Sequence, residues 1–187
     1  MRMKLRTILR VAMSLFAATS IHATTLARLS LDQLAVAADA TARVRCTGAQ
    51  SRWENGQIWT VTRFDVVETM KGTLPSRITV RLPGGRVGHL TATVDGTPRF
   101  KAGDEVIVFL ERSRAGEFSV TAWVEGTFRI GRDPRSGAET VTQDSSNFAV
   151  FDVAARTFHT EGIRRMAIEQ FRERVATALT RAQEKSR

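Results

Sequence analysis

Hydrophobic and polar residues alternate along most of the chain between residues 41 and 151, a pattern typical of half-buried β-strands. The main interruption is a run of five apolar residues, 106–110, which follows the turn-forming pair Gly103-Asp104. The run is too short for a helix, and four of its five residues are β-branched or aromatic. We therefore predict a central strand that is buried on both faces, with shorter strands arranged around it.

Turn residues divide the rest of this region into further strands. Asn55-Gly56 predicts a tight hairpin, because both residues accept the positive φ angles of a two-residue turn. The predicted strands are 41–51, 57–70, 77–82, 87–94, 105–111, 118–123, 127–130, 140–143 and 148–151. The last two are expected to form a hairpin. His89 and Trp123 fall within predicted strands, and His159 falls in a loop.

Helical patterns lie only near the two ends of the chain. Ser30 and Gln33 have the spacing of a capping box, which predicts a short helix through Ala38 that closes one end of a barrel. From about residue 167 to 184 the apolar period becomes helical, with arginines on the polar face. This helix is expected to pack on the barrel; a membrane surface or a partner helix is the alternative. The fold class is therefore mostly β, a small closed or partly open barrel with a short N-terminal helix and a C-terminal amphipathic α-helix.

The first 23 residues have the layout of a secretory signal peptide. A segment with four basic residues is followed by an uncharged, mostly apolar stretch, 11–21, and Ala23 provides a cleavage position. The apolar stretch is shorter than the roughly 20 residues that a membrane span requires, so no transmembrane segment is expected after cleavage. We predict an exported protein, periplasmic or extracellular, with residues 24–187 forming one barrel domain.

The charge distribution argues against a nucleic-acid-binding protein, and the cysteine content argues against a disulfide-stabilised one. The chain of 187 residues carries a formal net charge of +9, but much of the excess lies in the predicted signal peptide and the last helix. A nucleic-acid partner is therefore not expected, and Trp59 and Arg63 give only a thin version of the aromatic and basic face that single-strand binding needs. Cys46 is the only cysteine, so no internal disulfide is expected, and its alternating neighbours place it in the core.

Two sets of residues carry a resemblance to known proteins. Met70-Lys71-Gly72, together with the spacing of Phe100, Gly103, Val106 and Phe109-Leu110, resembles a family of uncharacterised secreted bacterial β-barrel proteins over residues 29–179. Residues 41–111 are similar, more distantly, to the netrin-like module, the OB-type barrel of the tissue inhibitors of metalloproteinases. The resemblance implies an OB-like barrel that acts as a binding module. Those inhibitors bind zinc through an N-terminal cysteine, whereas the predicted mature N-terminus here is Thr24, so that mechanism is not implied.

No residue set has the spacing of a catalytic or metal site. His89 and His159 are isolated, whereas catalytic zinc generally takes three protein ligands, and no Gly-x-Ser-x-Gly elbow occurs. We expect no catalytic residue, no metal and no cofactor. Trp53 lies beside the Asn55-Gly56 turn, where it either anchors a partner or folds back against Ile58.

The sequence therefore predicts a non-catalytic binding module for a protein partner, with an exported protease as one candidate. The predicted binding residues are Arg52, Trp53, Arg86 and His89. The alternative is a hydrolase whose active site is assembled from dispersed residues. The sequence leaves the oligomeric state open.

Overall fold

A computed structural model of the chain describes residues 29–113, 116–147, 150–152, 157–159 and 162–185. The predicted signal peptide, residues 1–23, and Phe148 of the predicted final hairpin lie outside these ranges. Within these ranges the helices are α1 Leu31–Ala37, α2 Ile168–Lys185 and the 3-10 helix Asp144–Asn147. The strands are β1 Ala40–Glu54, β2 Gln57–Lys71, β3 Arg77–Pro83, β4 Gly85–Val87, β5 Leu90–Ala92, β6 Glu105–Arg112, β7 Phe118–Val120, β8 Thr127–Arg132, β9 Glu139–Gln143, β10 Val150–Asp152, β11 Thr157–His159 and β12 Met166–Ala167.

Five strands of the main sheet close into a ring. Each pairs with the next in the order β1, β2, β3, β7 and β6, and β6 pairs back with β1. All these pairings are antiparallel except that of β3 with β7. The other edge of β6 also pairs with β8, and the sheet continues through β9 to β12. The predicted mostly β fold with a helix near each end is confirmed.

Strand β6 separates two hydrophobic cores, as its continuous apolar run predicts. Val106, Val108 and Leu110 belong to the core inside the ring, with Phe64 of β2. Ile107 and Phe109 belong to a second core, which lies between the sheet and both helices. All five residues of the run are completely buried. The strand thus carries both cores, and the prediction of burial on both faces is confirmed.

The two helices pack together over the outer core. Ser30 caps α1 and forms the predicted capping box with Gln33. The helix packs against β6 from outside the ring, so the prediction that it closes an end of the barrel is wrong. Helix α2 buries Phe171 in the same core, and its apolar face packs on the sheet as predicted.

Three local predictions are wrong for reasons of backbone geometry. The predicted strand 87–94 is the β4–β5 hairpin, because Gly88 adopts a positive φ of 58° and a turn begins there, so His89 lies in a turn. The predicted strand 118–123 ends at Val120, and Trp123 has a φ of 51° in the following turns. The predicted hairpin of 140–143 with 148–151 is also wrong, because β10 pairs with β11, which contains His159, and not with β9.

Candidate functional site

The β1–β2 hairpin extends beyond the ring and forms one side of an open groove. We call residues 48–63 of this hairpin the ribbon, and the space beside it the groove. The groove has a volume of about 300 Å³ and lies between the ribbon, the start of β4 and the loop 97–101. Its lining combines hydroxyl-bearing and basic side chains with apolar ones. The polar and basic residues are Ser51, Thr60, Thr62, Thr97, Arg86, Arg99 and Lys101, and the apolar ones are Ala49, Leu82, Pro83, Pro98 and Phe100, with Gly84 and Gly85 at the junction of β3 and β4.

A chain of hydrogen bonds fixes the β4 wall of the groove to the ribbon. The backbone N–H of Arg86 donates to Ser51 Oγ at 3.2 Å, and the Ser51 and Thr60 hydroxyls lie 2.9 Å apart. Thr60 Oγ1 donates to the carbonyl oxygen of Gly84 at 2.7 Å. Because the Thr60 hydroxyl donates its proton to Gly84, the Ser51 hydroxyl donates to Thr60. Both hydroxyl protons are therefore used in hydrogen bonds. The network holds Arg86 at the rim of the groove.

Gly85 permits this close crossing because it has no side chain. A Cβ atom added at this position would lie 2.2 Å from Ser51 Oγ and 2.3 Å from Thr60 Oγ1. Its φ of 130° is also a conformation that residues with side chains rarely adopt. The sequence pair Gly84-Gly85 therefore has a structural explanation: it lets β4 lie directly against the ribbon.

Arg129 fixes the opposite wall. Its Nη2 donates to the carbonyl oxygen of Arg99 at 2.7 Å, and its guanidinium lies over the ring of Phe100, 5.2 Å from the centroid. Nη1 donates to Asp104 at 2.8 Å and Nε to Asp144 at 2.9 Å. Burial alone would lower the pKa of Arg129, but the two carboxylates outweigh it and raise the pKa. Arg129 is thus a permanent cation that joins the loop to β8.

The charged side chains that line the groove are all basic. Arg86, Arg99 and Lys101 line it, all three are exposed, and none makes an ion pair with a carboxylate among the described residues. The lining contains no aspartate or glutamate. The aspartate nearest in sequence to Lys101, Asp104, is engaged by Arg129. The three basic side chains can therefore donate hydrogen bonds to a negatively charged ligand.

Two of the four predicted binding residues lie at this end of the molecule on the groove side. Trp53 pairs with Ile58 beside the hairpin turn and is 55% exposed. Strand alternation puts it on the same face of the ribbon as Ala49 and Ser51, which line the groove. Arg86 lines the groove itself, and its Nε donates to the carbonyl oxygen of Gly88 at 3.1 Å.

The other two predicted residues do not line the groove. Arg52 is on the opposite face of the ribbon, where it forms an ion pair with Glu54. Glu54 also pairs with Arg81, whose guanidinium stacks on Trp59 at 4.4 Å from the ring centroid. His89 is exposed at the turn between β4 and β5. The structure does not bring Arg52 to the groove that Arg86 lines.

Sequence reasoning missed the residues that build the groove. Arg99 and Lys101 flank Phe100 shortly before the central strand, where the sequence pattern predicts only a turn and a strand. Ser51 and Thr60 face each other across the predicted hairpin, and that pairing is available from the hairpin register alone. Nothing in the sequence, however, indicates that Gly85 crosses between them.

Other features of the described residues carry no recognisable chemistry. Burial raises the pKa of the Cys46 thiol, which makes it a poor nucleophile at neutral pH. Within the described ranges no group of three or more His, Cys, Asp or Glu side chains is placed to hold a metal ion. A second cavity of about 360 Å³ lies beside α1, where the backbone N–H of Leu29 donates to Glu125.

Comparison with known proteins does not assign the chain to a family. No family model matches the sequence, and no curated protein matches it significantly. In the part of the chain that the structure describes, neither helix has the length and apolar character to cross a bilayer.

Proposed function

We propose that the protein is an exported, non-catalytic binding module that engages a protein partner through the ribbon and the adjoining β4–β5 hairpin. The observation that carries this proposal is the exposure of Trp53. A large aromatic side chain gains free energy when it is buried, and exposed tryptophans are enriched among the residues that dominate protein interfaces. Trp53 is 55% exposed at the tip of a hairpin that extends from the ring.

The other two tryptophans show that the exposure of Trp53 is specific. Trp59 is covered on one face by the Arg81 guanidinium, and Trp123 packs against the core inside the ring. Leu90, which follows the turn of the β4–β5 hairpin, adds a second exposed apolar side chain at 47%. Each of the two hairpins thus presents an apolar side chain to solvent.

The five-stranded ring supports an OB-type architecture for this module. OB folds are five-stranded, partly open barrels, and the loop between their first two strands contributes to the ligand-binding surface. Here that loop is the turn of the ribbon, beside Trp53. The layout of residues 1–23 supports export, and the netrin-like resemblance makes an exported protease one candidate partner.

Capture of partners from the cell envelope and the culture supernatant tests the proposal. The purified protein is immobilised beside a Trp53→Ala variant and a Val67→Ala control, since Val67 is also exposed, at 49%, but lies on β2 outside the ribbon. We expect one exported protein to be retained by the parent and by Val67→Ala, and to be lost from Trp53→Ala. Equal retention by all three, or no retained protein, would refute this assignment.

A further inference from the structure

The groove cations form no ion pair with a carboxylate among the described residues. Most arginines on the sheet engage carboxylates: Arg43 pairs with Glu105 and Glu139, and Arg81 pairs with Glu54. Arg86, Arg99 and Lys101 surround one groove whose lining has no acidic residue. Like charges held near one another without counter-charges repel, and a negatively charged ligand relieves that repulsion. The groove therefore favours an acidic ligand.

Beside the groove, β1 has a free edge. From Thr41 to Arg45 it pairs with both β2 and β6, and Cys46 continues the contact with the β6 side through backbone hydrogen bonds to Gly103 and Asp104. From residue 48 to 54 it pairs only with β2 among the described residues. A strand edge of this kind offers backbone N–H and C=O groups to an added strand.

The free edge and the cations lie where a single extended chain can meet both. Ala49 and Ser51 belong to the edge strand and also line the groove, whose far wall carries Arg99 and Lys101. Trp53 follows two residues later on the same face of β1. An extended peptide along this edge would have backbone partners on one side, positive side chains on the other, and an apolar contact at the ribbon tip.

We propose that the groove and the free edge of β1 together bind an extended acidic segment of the partner polypeptide as an added β-strand. The inference rests on the proposed function, since it names the part of the protein partner that this surface recognises. The cations are exposed, so each contributes little by itself and several negative charges on one chain are needed. A polysaccharide offers no peptide backbone for the edge. A second copy of this chain would bring more positive charge, because the full sequence carries +9 and stays net positive without the four basic residues of the predicted signal peptide.

Binding of a fluorescently labelled peptide of alternating glutamate and threonine tests the inference directly. Fluorescence anisotropy is measured against the purified protein, with a glutamine-threonine peptide of the same length as the matched control. We expect the acidic peptide to bind at least tenfold more tightly. We also expect its affinity to fall between about 0.1 M and about 1 M salt, where the Debye length shrinks from about 10 Å to about 3 Å. An acidic peptide with N-methylated backbone amides should bind more weakly, because it cannot pair with the edge.

Charge-neutralising variants locate the site. Replacing Arg86, Arg99 or Lys101 with glutamine should weaken binding about threefold each, and the triple variant should weaken it about tenfold or more. Arg135→Gln is the control, because Arg135 lies in the β8–β9 turn and forms no ion pair with a described carboxylate. Thermal unfolding checks that each variant is folded.

Equal affinity of the acidic and neutral peptides, or equal effects of the triple variant and Arg135→Gln, would overturn the inference. Binding of the N-methylated peptide with undiminished affinity would overturn the proposal that the acidic segment binds as an added β-strand. The proposed function is tested separately by the capture experiment, and it fails if retention of the partner does not depend on Trp53. Self-association of the purified protein that the triple variant abolishes would instead identify a second copy as the occupant.

Discussion

Strand β1 passes through two regions that differ in how many of its edges are paired and in which side chains its inward face carries. Between Thr41 and Cys46 it has a neighbour on each edge, and its inward side chains, Ala42, Val44 and Cys46, are buried in the ring. In the ribbon it has a neighbour on one edge only. The corresponding face there carries Ala49, Ser51 and Trp53, of which only small or hydroxyl-bearing side chains line the groove.

The difference shows how one strand can serve both stability and recognition. Burial of apolar side chains between paired strands stabilises the ring, and about 25 cal/mol per Å² of buried apolar surface is the usual measure. The β1 half of the ribbon has less of that stabilisation, and it leaves one backbone edge and a tryptophan available to a partner. The change occurs at Cys46 and Gly48, where a bulge shifts the register between β1 and β2.

The largest expected effect comes from the core on the outer side of β6. Phe109→Ala removes a completely buried ring that packs edge-on against Phe128 and Phe171. We expect the free energy of unfolding to fall by about 3–5 kcal/mol in urea denaturation, because a cavity is left among residues that cannot collapse. Val67→Ala, at an exposed position, should change it by less than about 0.5 kcal/mol. A loss below about 1 kcal/mol for Phe109→Ala would contradict the two-core description.

The ion pairs around the ring should come next. Arg43→Met leaves Glu105 and Glu139 without their shared partner, and we expect a loss of about 1–3 kcal/mol near neutral pH. Arg77→Met is the control, because its pair with Asp65 is exposed and should contribute less than about 1 kcal/mol. Equal losses of unfolding free energy in the two variants would show that the ion pairs of Arg43 contribute no more to stability than the exposed pair of Arg77 with Asp65.

The pH dependence of that loss has a defined sign. The hydrogen bond from Arg43 lowers the pKa of Glu139. Burial alone would raise the pKa of Glu105, but hydrogen bonds from Arg45 and Arg43 lower it. The stability that these groups provide is therefore complete above the ordinary glutamate pKa of about 4.3, and it is lost as the pH falls through their folded-state pKa values. The difference between parent and Arg43→Met should therefore stay constant down to about pH 4.3 and shrink as the pH falls below that value. A difference that stays constant below that value would exclude this origin.

A smaller and more local effect is expected at the crossing of β4 over the ribbon. Gly85→Ala should destabilise the protein by about 1–3 kcal/mol, because the new methyl group meets Ser51 and Thr60 hydroxyl oxygens. Gly88→Ala is the matched control: its φ is also positive, at 58°, but no atom lies within 4 Å of the added Cβ. Chemical denaturation of both variants gives the comparison. If Gly88→Ala is the more costly change, backbone strain and not contact dominates at β4.

The smallest effect on stability is expected at the ribbon tip. Trp53→Ala should change the free energy of unfolding by less than about 0.5 kcal/mol, because the side chain is more than half exposed. Trp59→Ala should cost more, since the Arg81 guanidinium stacks on its ring. Thermal or urea unfolding distinguishes the two. A large loss in Trp53→Ala would mean that this tryptophan serves the fold.

How much the sequence reveals differs between the two regions. The ring is encoded by local patterns: the apolar run of β6, the alternation of β3 and the Asn55-Gly56 turn each predict their element because burial imposes the pattern. The β4–β5 hairpin is not encoded in this way, since strands of three residues leave no periodicity and the turn depends on one φ angle at Gly88. The groove is harder still, because Ser51, Gly85 and Lys101 are brought together only by the tertiary fold.

The most direct test of this account is an NMR titration of the ¹⁵N-labelled protein with the acidic peptide. The account predicts that backbone amide shifts cluster in the ribbon and the two segments beside it, residues 48–54, 84–92 and 97–101. The amides of β6 and of the ring half of β1 should change little. Shifts concentrated on the helices or the outer core, with the ribbon unchanged, would contradict the claim that the ribbon is the recognition surface.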